Sequence, residues 1–222
     1  MPKNKLKRFE ENLTFANLIQ PKVQYPPVDS DLKGKWGEKI FHNANPIVLE
    51  LGCGRGEYTI SLAELFPGKN FIGIDWKGAR LWRGAKTGIE RAMPNVAFLR
   101  IQIQNLLSFF AEREIGEIWI TFPVPQMNKT GERKRMTSPR FLDMYRKILA
   151  DNGIVNLKTD NKPLYEYSLE TVNSLGLRID NATDDLYGGD CDEILSIQTT
   201  YEKIWLKGGL KICYLKFIMN EK

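Results

Sequence analysis

The segment Ile47-Val48-Leu49-Glu50-Leu51-Gly52-Cys53-Gly54-Arg55-Gly56 carries a short apolar run that ends in glycines at alternate positions. Ile47–Leu51 has the length and continuous apolar character of a strand buried on both faces. The glycines let the chain turn tightly and let its backbone come close to another group. Gly56–Phe66 then reads as a helix with Tyr58, Ile60, Leu62, Ala63 and Phe66 apolar. The same alternation continues on the C-terminal side. Strands are predicted at Asn70–Asp75, Val96–Ile101, Glu117–Thr121, Ile154–Lys158, Leu177–Asn181 and Lys211–Met219. Helices are predicted at Lys77–Met93, stopped near Pro94, at Asn105–Ala111, from Pro139, at Asn161–Ser174 and at Thr200–Lys207. Pro139 suits a first helical position with Ser138 as cap, which turns Phe141, Leu142, Tyr145 and Leu149 inward. Asn152-Gly153 reads as a turn. Such alternation predicts an α/β fold with seven strands, mostly parallel, and helices on both faces. Residues 1–45, with Pro21, Pro26, Pro27 and Gly34, show no periodicity and read as an N-terminal arm; 46–222 reads as the main domain.

Composition narrows the function. The 222 residues hold 32 Lys plus Arg against 27 Asp plus Glu, a net charge of +5. Apolar and charged fractions of 42% and 27% suit a globular chain and exclude collagen-like or wholly disordered classes. No run of about 18 apolar residues exists, so no membrane span is expected. Lys3, Lys5, Lys7 and Arg8 precede no apolar signal region. Cys53, Cys191 and Cys213 form neither a disulfide framework nor a CxxC site, which points to a reducing cytoplasm. One histidine, His42, leaves no basis for a histidine-ligated metal or a Ser-His-Asp triad; no metal is expected. Basic residues gather at Lys3–Arg8, Lys77–Arg91 and Lys129–Arg140, while Asp180–Glu193, with Asp190 among its acids, has no Lys or Arg. Local basic blocks suit a nucleic-acid partner, although each alone also reads as a solvated face.

In doubly wound sheets ligands bind beyond the carboxyl ends of the strands. There the glycine loop fits the dinucleotide fingerprint poorly, because Gly56 comes one position early. Its Glu50-x-Gly52-x-Gly54-x-Gly56 spacing instead resembles the cofactor loop of S-adenosylmethionine-dependent methyltransferases. A carboxylate there attracts the sulfonium and ammonium of such a ligand. Asp75 ends the second strand and is suited to two ribose hydroxyls, or to capping the helix that follows. Gln102, after the third strand, is suited to an adenine edge or to the surface. After the fourth strand, Phe122-Pro123-Val124-Pro125 is a stiff loop followed by Lys129, Arg133, Lys134, Arg135 and Arg140, cations suited to phosphates. Lys158-Thr159-Asp160-Asn161 ends the fifth strand and is either a cap or part of a site.

Taken together, Glu50–Gly56, Phe71–Asp75, Phe122–Pro125 with its basic loop, Lys158–Asn161 with Tyr165 and Tyr167, and Thr199-Thr200-Tyr201-Glu202 resemble the bacterial tRNA (guanine-N7)-methyltransferases. The resemblance spans roughly residues 45–217. It implies a Rossmann-like class I methyltransferase fold, S-adenosyl-L-methionine as cofactor, tRNA as partner, and methylation of N7 of guanine at position 46 of the variable loop. By resemblance Glu50, Gly52, Gly54, Gly56, Asp75, Gln102 and Val124 hold the cofactor. Asn128, Lys129, Arg133, Lys134, Arg135, Asp160 and Thr199–Glu202 hold the substrate.

Three positions depart from the family pattern. Val124 stands where the family has its catalytic Asp, Gln102 where an acid is usual, and Asn128 where a Lys is usual. Guanine N7 attacks through a lone pair and loses no proton, so no general base is obligatory, and Asp160 is the remaining acid that can meet the guanine. Three functions are therefore weighed: the methyltransferase, a tRNA-binding relative of low activity, and a nicotinamide oxidoreductase, which the glycine spacing disfavours.

Overall fold

Eight strands and six α-helices follow one another among the described residues, where seven strands were expected. The computed structural model describes residues 3–22, 27–189 and 191–219, with Lys3, Asn4 and Lys129 described by backbone alone. Pro26, Asp190 and the Lys3 and Lys129 side chains therefore lie outside the described residues. The chain packs as two compact units divided between Ala111 and Glu112.

The first unit holds α1 (Lys3–Asn12), β1 (Leu18–Ile19), β2 (Ile47–Leu51), α2 (Glu57–Leu65), β3 (Asn70–Ile74), α3 (Gly78–Glu90) and β4 (Val96–Leu99). Its strands lie in the order β1-β4-β3-β2, all parallel. β2 and β3 are buried along their whole length, as their unbroken apolar sequence requires. The additional strand is β1, two residues within the segment read as an arm, with Leu18 opposite Phe98. α1 lies on α3: Asn12 Nδ2 donates to Gly78 O at 2.9 Å, and Trp82 Nε1 donates to Glu11. Arg8 and Lys86 stand over the Trp82 ring at 4.7 and 5.1 Å. The basic stretch 77–91 is thus partly committed within the fold, since Lys86 pairs with Glu11 and Arg91 with Glu64. α3 stops three residues earlier than predicted, and Ala92 turns left-handed just before Pro94. The helix predicted at Asn105–Ala111 is a 3₁₀ turn over Ile103–Ser108.

The second unit holds β5 (Ile115–Thr121), α4 (Pro139–Ile148), β6 (Leu149–Thr159), α5 (Lys162–Ser174), β7 (Arg178–Thr183), α6 (Thr200–Lys207) and β8 (Cys213–Ile218). Its strands lie in the order β5-β6-β8-β7, with β8 antiparallel to both neighbours. Phe141, Leu142, Tyr145 and Leu149 are buried as expected. β6 begins five residues earlier than predicted. Its pairing jumps from Ile115↔Leu149 to Glu117↔Ile154, so the Asn152-Gly153 turn becomes a bulge inside the strand, with Asn152 at φ 57°. Three acids of the acidic stretch are matched by lysines from elsewhere in the chain: Asp180 with Lys216 at 2.7 Å, Asp184 with Lys162 at 2.9 Å, and Asp185 with Lys211 at 2.8 Å. No helix of the described residues is long and apolar enough to cross a membrane. Cys53, Cys191 and Cys213 are free thiols.

Candidate functional site

In the first unit the glycine loop takes the conformation its composition anticipates. Gly52, Gly54 and Gly56 lie at φ 76°, 57° and 70°, the left-handed region that side chains disfavour. Gly52 N and Cys53 N both donate to Ile74 O, at 2.8 and 3.0 Å, which pins the loop to the end of β3. The glycines serve different ends. A Cβ on Gly54 would meet nothing nearer than Gly52 O at 4.0 Å, so its backbone is open to a ligand. A Cβ on Gly56 would stand 2.5 Å from the Phe98 ring, and Gly73 and Gly84 crowd the same ring at 2.7 and 2.5 Å. Phe98 fills the space these three glycines vacate.

Asp75 is 7% exposed and faces the loop. Its Oδ2 accepts from Gly54 N at 3.1 Å and its Oδ1 from Lys77 N at 2.8 Å. The carboxylate therefore tethers the open glycine and the start of α3 together. Each oxygen keeps acceptor capacity beyond its one backbone bond. Glu50 turns one carboxylate oxygen toward α2. It is buried, and its Oε2 accepts from the backbone N, at 2.8 Å, and the hydroxyl of Thr59 in the first turn of α2. There it satisfies an orphan helix donor and sits well in the helix dipole. Burial, with the negative charges of Glu50 and Asp75, pushes the Cys53 thiol well up, so it stays protonated. Gln102 is exposed, its side-chain oxygen accepting from Gln104. Trp76, unnoticed in the sequence reading, is 60% exposed beside Asp75. Its signal was there: an aromatic residue directly after the acid that ends a strand.

In the second unit the loop after β5 is held in a strained form. Phe122 and Gln126 lie at φ 50° and 49°, costly for side chains of their size, with prolines fixing φ between them. Phe122 N donates to Lys158 O at 2.8 Å and its ring lies 5.0 Å from that of Trp205. Val124, at the apex, is 70% exposed. The basic loop beyond is a 3₁₀ turn over Lys129–Lys134. Arg135 is committed to it: its Nε donates to Gln126 O at 3.3 Å, and its guanidinium stands 4.2 Å over the Tyr167 ring. Tyr167 in turn donates to Glu132 at 3.1 Å. Asn128, Arg133 and Lys134 are exposed.

Of the two alternatives at Lys158–Asn161, the cap is present in the geometry. Asn161 caps α5 by accepting from Leu164 N at 2.9 Å, and Thr159 Oγ1 accepts from Asn161 N at 3.1 Å. Asp160, between them at the end of β6, makes no hydrogen bond or ion pair among the described residues and remains partly exposed. Thr199 and Glu202 form a reciprocal capping box at the start of α6, while Thr200 and Tyr201 are exposed. Glu202, expected beside a base, is fully buried. Its Oε1 pairs with the equally buried Lys158 at 2.9 Å and accepts from Tyr187 Oη at 2.7 Å. Lys158 also donates to Leu195 O and Ile197 O at 3.1 and 3.0 Å. Burial pulls the Lys158 ammonium down, and Glu202 opposes that pull. Among the described residues no cluster of His, Cys, Asp and Glu could hold a metal ion.

The methyltransferase family model Methyltransf_4 matches residues 44–215. The tRNA (guanine-N(7)-)-methyltransferase of Porphyromonas gingivalis is 53% identical over 209 residues, covering 93% of this chain and 83% of that protein. The protein of the same name from Bacteroides fragilis is 47% identical over 226 residues, covering all of this chain and 88% of its own. Among solved structures, the 16S rRNA methyltransferase KamB matches with a TM-score of 0.67 at 14% identity, over 92% of this chain and 99% of that one, which shows a shared fold.

Proposed function

This chain belongs to the family of tRNA (guanine-N(7)-)-methyltransferases, and from that premise we propose that it methylates N7 of a guanine in tRNA, the variable-loop guanine at position 46. The cofactor is S-adenosyl-L-methionine, which when bound supplies a methyl group activated by a sulfonium. The residues present fit it. Gly54 leaves open space, Asp75 has spare acceptor capacity for ribose hydroxyls, and Trp76 presents a flat apolar face suited to adenine. Glu50 acts through α2 and the loop it shapes. Residues 46–222 form the methyltransferase domain in this reading, 1–45 its extension, and the setting is cytoplasmic.

The observation that carries the guanine assignment is Asp160. Its neighbours satisfy the cap and the turn, which leaves its carboxylate uncommitted at a strand end. Guanine offers two donors on one edge, N1–H and the N2 amino group, and a carboxylate accepts both. That contact orients the base and strengthens as the ring becomes cationic, so it favours the transition state over the ground state. Because N7 has no proton to lose, the remaining work is alignment of nucleophile and methyl. Val124 favours a second reading, a tRNA-binding relative with little activity.

Incubation of the chain with unmodified tRNA and S-adenosyl-L-methionine, followed by nucleoside analysis, separates the two. The expected product is 7-methylguanosine at position 46, reduced about 5- to 150-fold in rate by Asp160→Asn, the loss of one charge-assisted contact. Tight tRNA binding without any product would establish the second reading.

A further inference from the structure

The helix α6 continues past the capping box as an exposed face of unusual composition. Tyr201 and Ile204 are 56% and 58% exposed, and Trp205 stacks on Tyr201 with ring centroids 6.0 Å apart. Phe122 lies against the other side of this pair, 5.0 Å from Trp205. Three aromatic rings thus form a continuous ledge, open at Tyr201 and joined to the strained loop that bears Val124. Lys203 and Lys207 are exposed on the same helix, four residues apart and so on one face. The one acid of α6, Glu202, is buried against Lys158. The exposed charge of the helix is therefore entirely positive.

We propose that α6 is a docking surface for unpaired tRNA nucleotides neighbouring the target guanine, with Tyr201, backed by Trp205, stacking a base, Ile204 packing against it, and Lys203 and Lys207 contacting phosphates. This rests on the tRNA reading above. Charge complementarity selects the occupant: a protein face would meet the apolar ledge equally well, but the exposed arc of α6 runs from Tyr201 through Ile204 to Lys207 and Lys203, and an aromatic edge with a cationic edge across from it matches a polyanion that carries flat bases. The left-handed backbone at Phe122 is consistent with that use. A bulky residue keeps such a conformation only where its surroundings enforce it, and here the bond from Phe122 N to Lys158 O and the Trp205 ring both bear on it.

The two components leave different signatures in binding of the full chain to an unmodified tRNA transcript across a salt series. Tyr201→Ala is expected to weaken binding about 5- to 150-fold, the range for loss of one stacked base, without changing the salt slope, and Trp205→Ala to weaken it in the same direction by removing the ring that backs Tyr201. Lys203→Ala with Lys207→Ala is expected to flatten the log–log slope by about 0.7–0.9 unit per lost contact. S-adenosyl-L-methionine affinity stays at the wild-type value in all of them. Because Trp205 also supports Phe122, Ile204→Ser provides an arm that leaves the ring stack alone. Wild-type tRNA affinity in both Tyr201→Ala and Ile204→Ser, with methylation intact, overturns the inference while the tRNA reading stands. A wild-type dimer that Ile204→Ser converts to monomer overturns it too, assigning the ledge to a second copy of the chain. Absence of 7-methylguanosine and of tRNA binding with the wild-type protein removes the tRNA reading itself, and this inference with it.

Discussion

Val124 occupies the family's acidic position, and its exposure shapes what a replacement does. At 70% exposed, a carboxylate there stays hydrated, so Val124→Asp avoids the cost of a buried unpaired acid. Its benefit is the contact made as positive charge builds on guanine, about 1–3 kcal/mol for one charge-assisted interaction, or about 5- to 150-fold in rate. The gain should appear in single-turnover methylation and leave tRNA affinity unchanged. No gain, with a wild-type rate equal to that of relatives carrying the acid, would mean that Asp160 already does this work. Among the site residues, those whose role follows from backbone conformation were readable in the sequence. Gly52, Gly54 and Gly56 announce a left-handed loop by their spacing alone. The buried settings of Glu50 and Glu202 were not readable, because a carboxylate that meets solvent and one that meets the backbone are the same letter. What separates them is burial and a partner, Thr59 in one case and Lys158 in the other, and both partnerships are made by folding.

The buried Lys158–Glu202 pair ties the end of β6 to the start of α6 and to the chain at Leu195 and Ile197. Removing one member leaves an ammonium buried without its counter-charge, which typically costs about 3–5 kcal/mol. Glu202→Leu is therefore expected to lower urea stability by roughly that amount, and Glu202→Gln by less, since an amide oxygen still accepts from Lys158. Equal losses in the two variants would show that the amide acceptor adds nothing beyond the missing charge, and wild-type stability in both would show that the charge contributes nothing. At the same scale, long apolar or amphipathic segments such as β2, β3 and α3 could be located from sequence to within a few residues. β1 could not, because two residues carry no period; it exists because Leu18 and Ile19 find the edge of β4. The early start of β6 was hidden for a related reason. Asn152-Gly153 is a strong local turn signal, and pairing of Leu149 with Ile115 overrides it by making the turn a bulge.

For the whole molecule, pH acts through groups that burial keeps protonated. Cys213 is pushed up to about 11, and burial likewise raises Tyr145, Tyr187 and Tyr214. The unfolded chain releases these protons first, so above the ordinary thiol value of 9.0 it binds fewer protons than the fold. Stability is then complete below about pH 9 and falls as pH rises through about 11; Lys158, pulled down by burial, works the other way. Thermal midpoints between pH 8.5 and 11 should decline, and less steeply in Cys213→Ala; a flat or rising midpoint contradicts the account. Charge has another consequence, at longer range. Asp180, Asp184 and Asp185 each lie within 3 Å of a lysine. Beyond a Debye length of about 8–10 Å each such pair acts as a small dipole, whose field fades faster with distance than that of a lone charge. These three acids are therefore nearly silent in the far field, and exposed cations without an ion pair among the described residues, such as Arg133 and Lys134, weigh more in the direction from which a polyanion drifts in.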